Sequence, residues 1–275
     1  MTALWHDYRG RAVLVTGGTR GIGLAVALAF GRRGADVTMT HRWGSADEDV
    51  IRRTFADAGA SAPRIVEADA SRPDEILGVM ESIRQSHGQL DAFVSNVAFA
   101  ALVRSLDDYV KRSLATSIDY SAWPLVEHTL AARRVFGKAP RYVVGMSSMG
   151  ADTVHANYDF IAASKSVLET LCRYLHHRLR DEGTRVNVVR TRFVSTESLA
   201  ATFGEEFEPF VRRIQPDVFS EPEEVAEATF AVCSGLFDAL GGQVLTVDRG
   251  AGNYENLSRM FVERHRHPLK QETTQ

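Results

Sequence analysis

Two groups of residues in this 275-residue chain have the types and spacing to do chemistry. The first is Thr16-Gly17-Gly18-Thr19-Arg20-Gly21-Ile22-Gly23, set between the apolar run Ala12–Thr16 and the helical run Leu24–Phe30. Strand, glycine turn and helix in that order make a phosphate cradle. The glycines let backbone approach an anion, and the new helix offers it unpaired N–H groups. The second group is Tyr158 and Lys165, with Ser147 and Ser148 upstream. Seven helical residues turn about 700°, so the phenol and the ammonium share a face. A cation beside a phenol stabilises phenolate and draws its pKa down from about 10. Lys165 is also conspicuous by composition: of 32 basic residues only Lys111, Lys138, Lys165 and Lys270 are lysine.

The elements that must hold these residues follow from hydrophobic pattern. Residues 12–16, 37–40, 64–68, 92–95, 142–146, 186–189 and 244–247 are short, nearly continuous apolar runs, as expected of parallel strands buried on both faces. Helical periods separate them; Val167, Leu168, Leu171, Cys172, Leu175 and Leu179 return to one face every three or four residues. Seven strand–helix units predict a single α/β domain over residues 1–275, a doubly wound parallel sheet of Rossmann type. Residues 192–220 interrupt the rhythm before the last strand, and a tail over about 251–275 ends in a polar run.

The glycine spacing, Gly17-x3-Gly21-x-Gly23, resembles the TGxxxGxG turn of the short-chain dehydrogenase/reductase family. Asp69-Ala70 matches that family's aspartate beside the adenine, and Ser95-Asn96-Val97-Ala98 stands where it has NNAG. Asn187 and Asp248 fall in its later strand motifs. The resemblance implies a nucleotide site at Gly17, Thr19, Arg20, Gly21, Ile22, Gly23, His41, Arg42, Asp69, Ala70, Asn96, Lys165 and Thr196. His41 and Arg42 stand where NAD-selective proteins carry an acid, and Arg20 lies in the turn, so the expected cofactor is NADPH.

In this family a tyrosine serves as acid and a lysine beneath it holds the nicotinamide ribose. Most members space them Tyr-x3-Lys, but here Ile161 occupies that place and Tyr158 gives Tyr-x6-Lys. That spacing, with Ser147-Ser148-Met149-Gly150, Leu168-Glu169 and Arg173-Tyr174-Leu175, resembles the enoyl-acyl-carrier-protein reductase branch, nearest its NADPH-preferring subtype. The longer spacing moves the phenol about 4.5 Å along the axis. An enoyl thioester fits this displacement, because its hydride-accepting carbon and its oxygen are separated by conjugation. The resemblance implies Tyr158, Lys165, Ser147 and Ser148 as catalytic residues, the two hydroxyls unranked.

Several positions depart from the family. Ser117 replaces a relay asparagine, Val97-Ala98 replaces Ala-Gly, Thr191-Arg192 replaces Pro-Gly, and Arg249 replaces a glycine. Arg192 either meets an anionic substrate group, meets the cofactor, or lies at the surface. His155 is a candidate second acid near Tyr158. Phe203, Phe207, Phe210 and Ile214 form one apolar helical stripe in the 192–220 insertion, which covers the active site in this family. The stripe either lines an acyl pocket or pins the lid.

Composition bounds the rest. With 44% hydrophobic and 24% charged residues and a net charge of -3, no global basic field points to nucleic acid or an anionic membrane. No apolar run approaches the ~20 residues that span a bilayer. Cys172 and Cys233 read as core thiols, no metal-ligand spacing occurs, and no signal peptide is expected, which favours a cytoplasmic protein. The expected activity is NADPH-dependent reduction of an α,β-unsaturated acyl thioester, carried by an acyl carrier protein or CoA, by a homotetramer or homodimer in fatty-acid or polyketide metabolism. The rival expectations are a ketoreductase or alcohol dehydrogenase, and an inactive NADP-binding regulator.

Overall fold

A computed structural model describes residues 7–42, 47–99 and 101–263. The elements run β1 (Ala12–Thr16), α1 (Gly21–Gly31), β2 (Asp36–His41), α2 (Glu48–Asp57), β3 (Arg64–Glu67), α3 (Pro73–Arg84) and β4 (Ala92–Ser95). They continue α4 (Lys111–Ser121), α5 (Trp123–Phe136), β5 (Tyr142–Ser148), α6 (Asp159–Leu179), β6 (Arg185–Thr191) and β7 (Phe193–Val194). Last come α7 (Glu197–Phe203), α8 (Phe207–Ile214), β8 (Phe219–Ser220), α9 (Pro222–Cys233), β9 (Val244–Val247) and α10 (Asn256–Glu263).

Seven strands form one parallel sheet in the order β3-β2-β1-β4-β5-β6-β9. Strand alternation divides its core in two. Val13 and Val15 pack with α1, Ile51 and Phe55 of α2, and Phe230 of α9. Ala12 and Leu14 point the other way, toward Ile76 and Met80 of α3, Leu125 of α5 and Leu168 of α6. Both faces are thus covered, which is why the strands read as continuous apolar runs. The same alternation on β5 puts Met146 on the α1 side and Ser147 on the α6 side. There Gly145 leaves room for Leu168, whose Cδ2 would stand 2.8 Å from a Cβ.

The predicted strands are all present; β5 and β6 each run two residues longer at their carboxyl ends. The insertion differs from the single stripe expected of it. Gly204, at φ +92°, ends α7 and separates it from α8. Phe203 and Phe207 still face inward, whereas Phe210 is 51% exposed. The break matters because helical phase does not carry across a left-handed residue. A short parallel pair, β7–β8, pins both ends of this lid to each other. The tail contains α10, which its polar composition did not announce; residues 264–275, where the tail's polar end was expected, lie outside the described residues.

Candidate active site

Strand order reverses between β1 and β4, and a crevice opens at the carboxyl ends of such a pair. The glycine turn leaves β1 at that point and Asn96 follows β4. Asn96 Nδ2 donates to the Gly17 carbonyl at 3.0 Å, and its backbone N–H donates to Thr16 Oγ1 at 3.2 Å. A Cβ on Gly23 would stand 2.1 Å from the Gly17 carbonyl oxygen, so no other residue fits there. Gly17 and Gly21 adopt φ of +62° and +52°. Arg20 caps α1 without a side-chain acceptor, and the first turn carries no acid. Its N–H groups are therefore open to an anion. Thr19 is buried, Arg20 is exposed and Ile22 packs onto the core. The Thr196 side chain caps α7 through Leu199 N and lays its methyl 3.4 Å from where a Gly21 Cβ would be, joining lid to glycine turn.

At the adjacent strand ends, His41 is buried and its Nδ1 has no hydrogen-bond partner among the described residues. Arg42 Nη2 lies 2.9 Å from Asp69 Oδ2, and Nη1 donates to the Tyr120 hydroxyl, which itself donates to Asp69 at 3.1 Å. Burial works to raise the Asp69 carboxyl. The hydrogen bonds from Ser71 and Tyr120, with the Arg42 charge, outweigh it and hold the group below the usual carboxylate range. Ala70 is buried beside it. A cradle that a Cβ would fill, a helix end with no acceptor and an orphaned imidazole nitrogen together fit a dinucleotide.

Across the crevice, Tyr158 is the N-cap of α6 rather than a residue within it. It is aimed by Asn157, which takes φ +62°, and whose carbonyl accepts from Val103 N at 3.1 Å. Gly150 makes room for the ring: a Cβ would sit 2.7 Å from two ring carbons. Phe203 of the lid stacks on the ring at 6.2 Å between centroids and 17° between planes. Lys165 lies two turns along α6, buried, its Nζ donating to the Met146 carbonyl at 2.8 Å.

The phenol behaves differently from the expectation that a neighbouring cation would lower its pKa. Burial pushes the Tyr158 hydroxyl up, with the Ser148 hydrogen bond pulling the other way. The ammonium is turned to the Met146 carbonyl, so desolvation dominates at the phenol. Burial also lowers Lys165 to about 8, against the opposing charge of Glu169.

The adjacent serines separate. Ser148, at the strand end, faces Tyr158 and accepts from Gly150 N at 3.3 Å. Ser147 donates to Glu169 Oε1 at 2.7 Å inside a buried network. Arg190 grips the same carboxylate through Nε at 2.9 Å and Nη2 at 2.6 Å, and pairs with Asp152 through Nη1. Ser117 is buried with its hydroxyl donating to the Ser113 carbonyl of its own helix. Arg249 takes φ +53°, the conformation a glycine would have eased, and pairs with Glu224 through Nε at 3.0 Å and Nη2 at 2.7 Å.

Glu169, Arg190, Tyr120 and Asn157 are the site residues that motif reading did not assign. Glu169 stands one helical turn after Lys165, a usable signal. Arg190 becomes its partner only because β6 lies beside β5.

A family described as enoyl-(acyl carrier protein) reductase matches residues 17–252. The chain is 27% identical over 248 residues to 1-cyclohexenylcarbonyl-CoA reductase of Streptomyces collinus, covering 88% of this chain and 87% of that protein. It is 25% identical over 250 residues to the NADH enoyl-acyl-carrier-protein reductase FabI of Aquifex aeolicus, covering 88% and 91%. A short chain dehydrogenase from Burkholderia cenocepacia, solved in complex with NADP, superposes with a TM-score of 0.78 at 24% identity, covering 90% of this chain and all of that one. That likeness speaks to the fold.

Proposed function

Because this chain belongs to the short-chain dehydrogenase/reductase family, matching its enoyl-(acyl carrier protein) reductase model, we propose that it reduces the carbon–carbon double bond of an α,β-unsaturated acyl thioester with NADPH. The observation that carries this reading is the placement of Tyr158. Tyr158 stands at the cap of α6, seven residues before Lys165, a backbone rise of about 10 Å along the axis. An acid so displaced suits a carbonyl oxygen conjugated to the carbon that is reduced.

NADPH supplies the hydride when bound; the chain supplies its place and the proton. The glycine turn, Asn96 and the start of α1 would receive the pyrophosphate. His41, Arg42 and Arg20 are the residues that would hold a 2′-phosphate, and the buried His41 Nδ1 has no hydrogen-bond partner among the described residues. Lys165 would hold the nicotinamide ribose. Tyr158, kept protonated by burial, donates its hydrogen to the thioester oxygen as charge builds there, and Ser148 steadies the phenol. Phe203, Phe207 and Phe193 exclude water above them.

The relative that reduces a cyclohexenylcarbonyl-CoA supports an enoyl thioester, and a carrier-bound or CoA-bound chain fits equally. NADPH consumption with crotonyl, acetoacetyl and polycyclic-ketone substrates in parallel tests the reading. Turnover of the crotonyl thioester is expected. Turnover of a ketone alone rejects it in favour of a ketoreductase, and tight NADPH binding without turnover favours a regulator.

A further inference from the structure

The mouth of the site holds two polar side chains that the proposed reaction does not use. His155 precedes Tyr158 by one turn of chain, and its imidazole lies against the Tyr158 ring at 5.9 Å and the Phe193 ring at 5.8 Å between centroids. Neither ring nitrogen makes a hydrogen bond to the described residues. Arg192 lies against the same ring, its guanidinium 5.4 Å from the centroid of Phe193. One of its N–H groups donates to the Ala251 carbonyl at 3.0 Å. No carboxylate among the described residues pairs with it, whereas Arg42, Arg190, Arg212 and Arg249 each have at least one. Burial, and then the Arg192 charge, lower His155 below its ordinary value, so the two are close enough to feel one another.

We propose that His155 and Arg192 form an anion-recognising pair that selects acyl substrates carrying a carboxylate of their own. The pair offers a fork of N–H donors and an imidazole N–H around one aromatic floor, Phe193, in a half-buried setting where charge-assisted hydrogen bonds are strongest. A carboxylate there would lie beside the Tyr158 ring, whose centroid is 5.9 Å from that of His155. The carrier's phosphate is excluded by chemistry, because the whole pantetheine arm separates it from the thioester. The cofactor's phosphates are given above to the glycine turn and to His41, Arg42 and Arg20, whereas this pair lies against Phe193 and Tyr158. The anion therefore belongs to the acyl group, a short dicarboxylic half-thioester being the simplest case. This rests on the acyl-thioester reading above.

Calorimetry on the full chain saturated with NADP+ tests the pair without turnover. The probes are glutaconyl pantetheine, its methyl ester, and pantetheine 4′-phosphate. The acid is expected to bind at least ten-fold tighter than its ester, and that ratio to fall to about two in Arg192→Met and in His155→Leu. NADP+ affinity reports that each variant is folded. Equal binding of acid and ester, no binding of either, a ratio unmoved by both substitutions, or sensitivity of the phosphate probe alone would overturn the proposal. If the acid is preferred yet neither thioester is reduced with NADPH, the anion pair stands and the enoyl-reductase reading fails.

Discussion

Ser147 gives its hydroxyl hydrogen to the buried Glu169 carboxylate at 2.7 Å, while its neighbour Ser148 turns to Tyr158. Adjacent residues on a strand point to opposite sides, so two identical side chains acquire different work. Ser148→Ala is expected to lower kcat by ten-fold or more with NADPH affinity unchanged, because the phenol loses its partner. Ser147→Ala should act on stability, costing about 1 kcal/mol for the lost buried hydrogen bond. Steady-state kinetics and urea denaturation of the two variants check this; a larger kinetic effect at Ser147 would reverse the assignment.

Arg190 neutralises Glu169 through two hydrogen bonds, with side-chain exposures of only 13% and 6%. Removing one partner of so buried a pair leaves an uncompensated charge. Arg190→Met should destabilise the fold by about 3–5 kcal/mol, and adding Glu169→Gln should restore much of the loss. The double-mutant cycle measures it.

Lys165 titrates near 8, below its unfolded value of about 10.5. Below pH 8 both states are protonated and the folded state bears the full cost of a buried ammonium. Between about 8 and 10.5 the unfolded chain holds more protons, so stability rises with pH there, by about 3 kcal/mol in all. The buried thiols Cys172 and Cys233, both raised, act oppositely above about pH 9. The expected signal is therefore the difference between wild type and Lys165→Met, followed by thermal unfolding across pH 7–10.5.

Arg42 is tied to Asp69 and Tyr120, and it is the residue proposed to meet a 2′-phosphate. Arg42→Ala should weaken NADPH at least ten-fold more than NADH by fluorescence titration, with a smaller loss for both as Asp69 is released. Equal losses would assign Arg42 to the adenine pocket alone.

Asn157 at φ +62° sets the direction from which Tyr158 enters α6. Asn157→Gly should retain most activity, since glycine adopts this conformation freely. Asn157→Val should cost about 1–2 kcal/mol and lower kcat more than KM, because the phenol is moved from its place. Kinetics and melting of the pair of variants decide it.

The sheet and the glycine turn were legible because both depend on local pattern: apolar runs of strand length and glycines at positions where a Cβ has no space. Arg249 stands where the family resemblance places a glycine, and its φ of +53° is a conformation that glycine would ease. The lid was legible only in part. Phe203 and Phe207 turn inward and stack on one another, but Gly204 interrupts the helix and leaves Phe210 exposed.

The sequence by itself determined the parallel α/β order, the nucleotide turn, and the spacing that sets Tyr158 seven residues before Lys165, because each is a matter of neighbours along the chain. Tertiary structure decided which serine meets the phenol, that Glu169 is answered by Arg190 from another strand, and that Arg42 is shared with Asp69 and Tyr120. It also decided the sign of the shift at Tyr158. Proximity of a cation in sequence argues for a lowered phenol, but burial beneath Phe203 and the turn of Lys165 toward Met146 make desolvation the larger effect. Those outcomes depend on which surfaces are brought together and how much water they exclude, and no spacing along the chain encodes that.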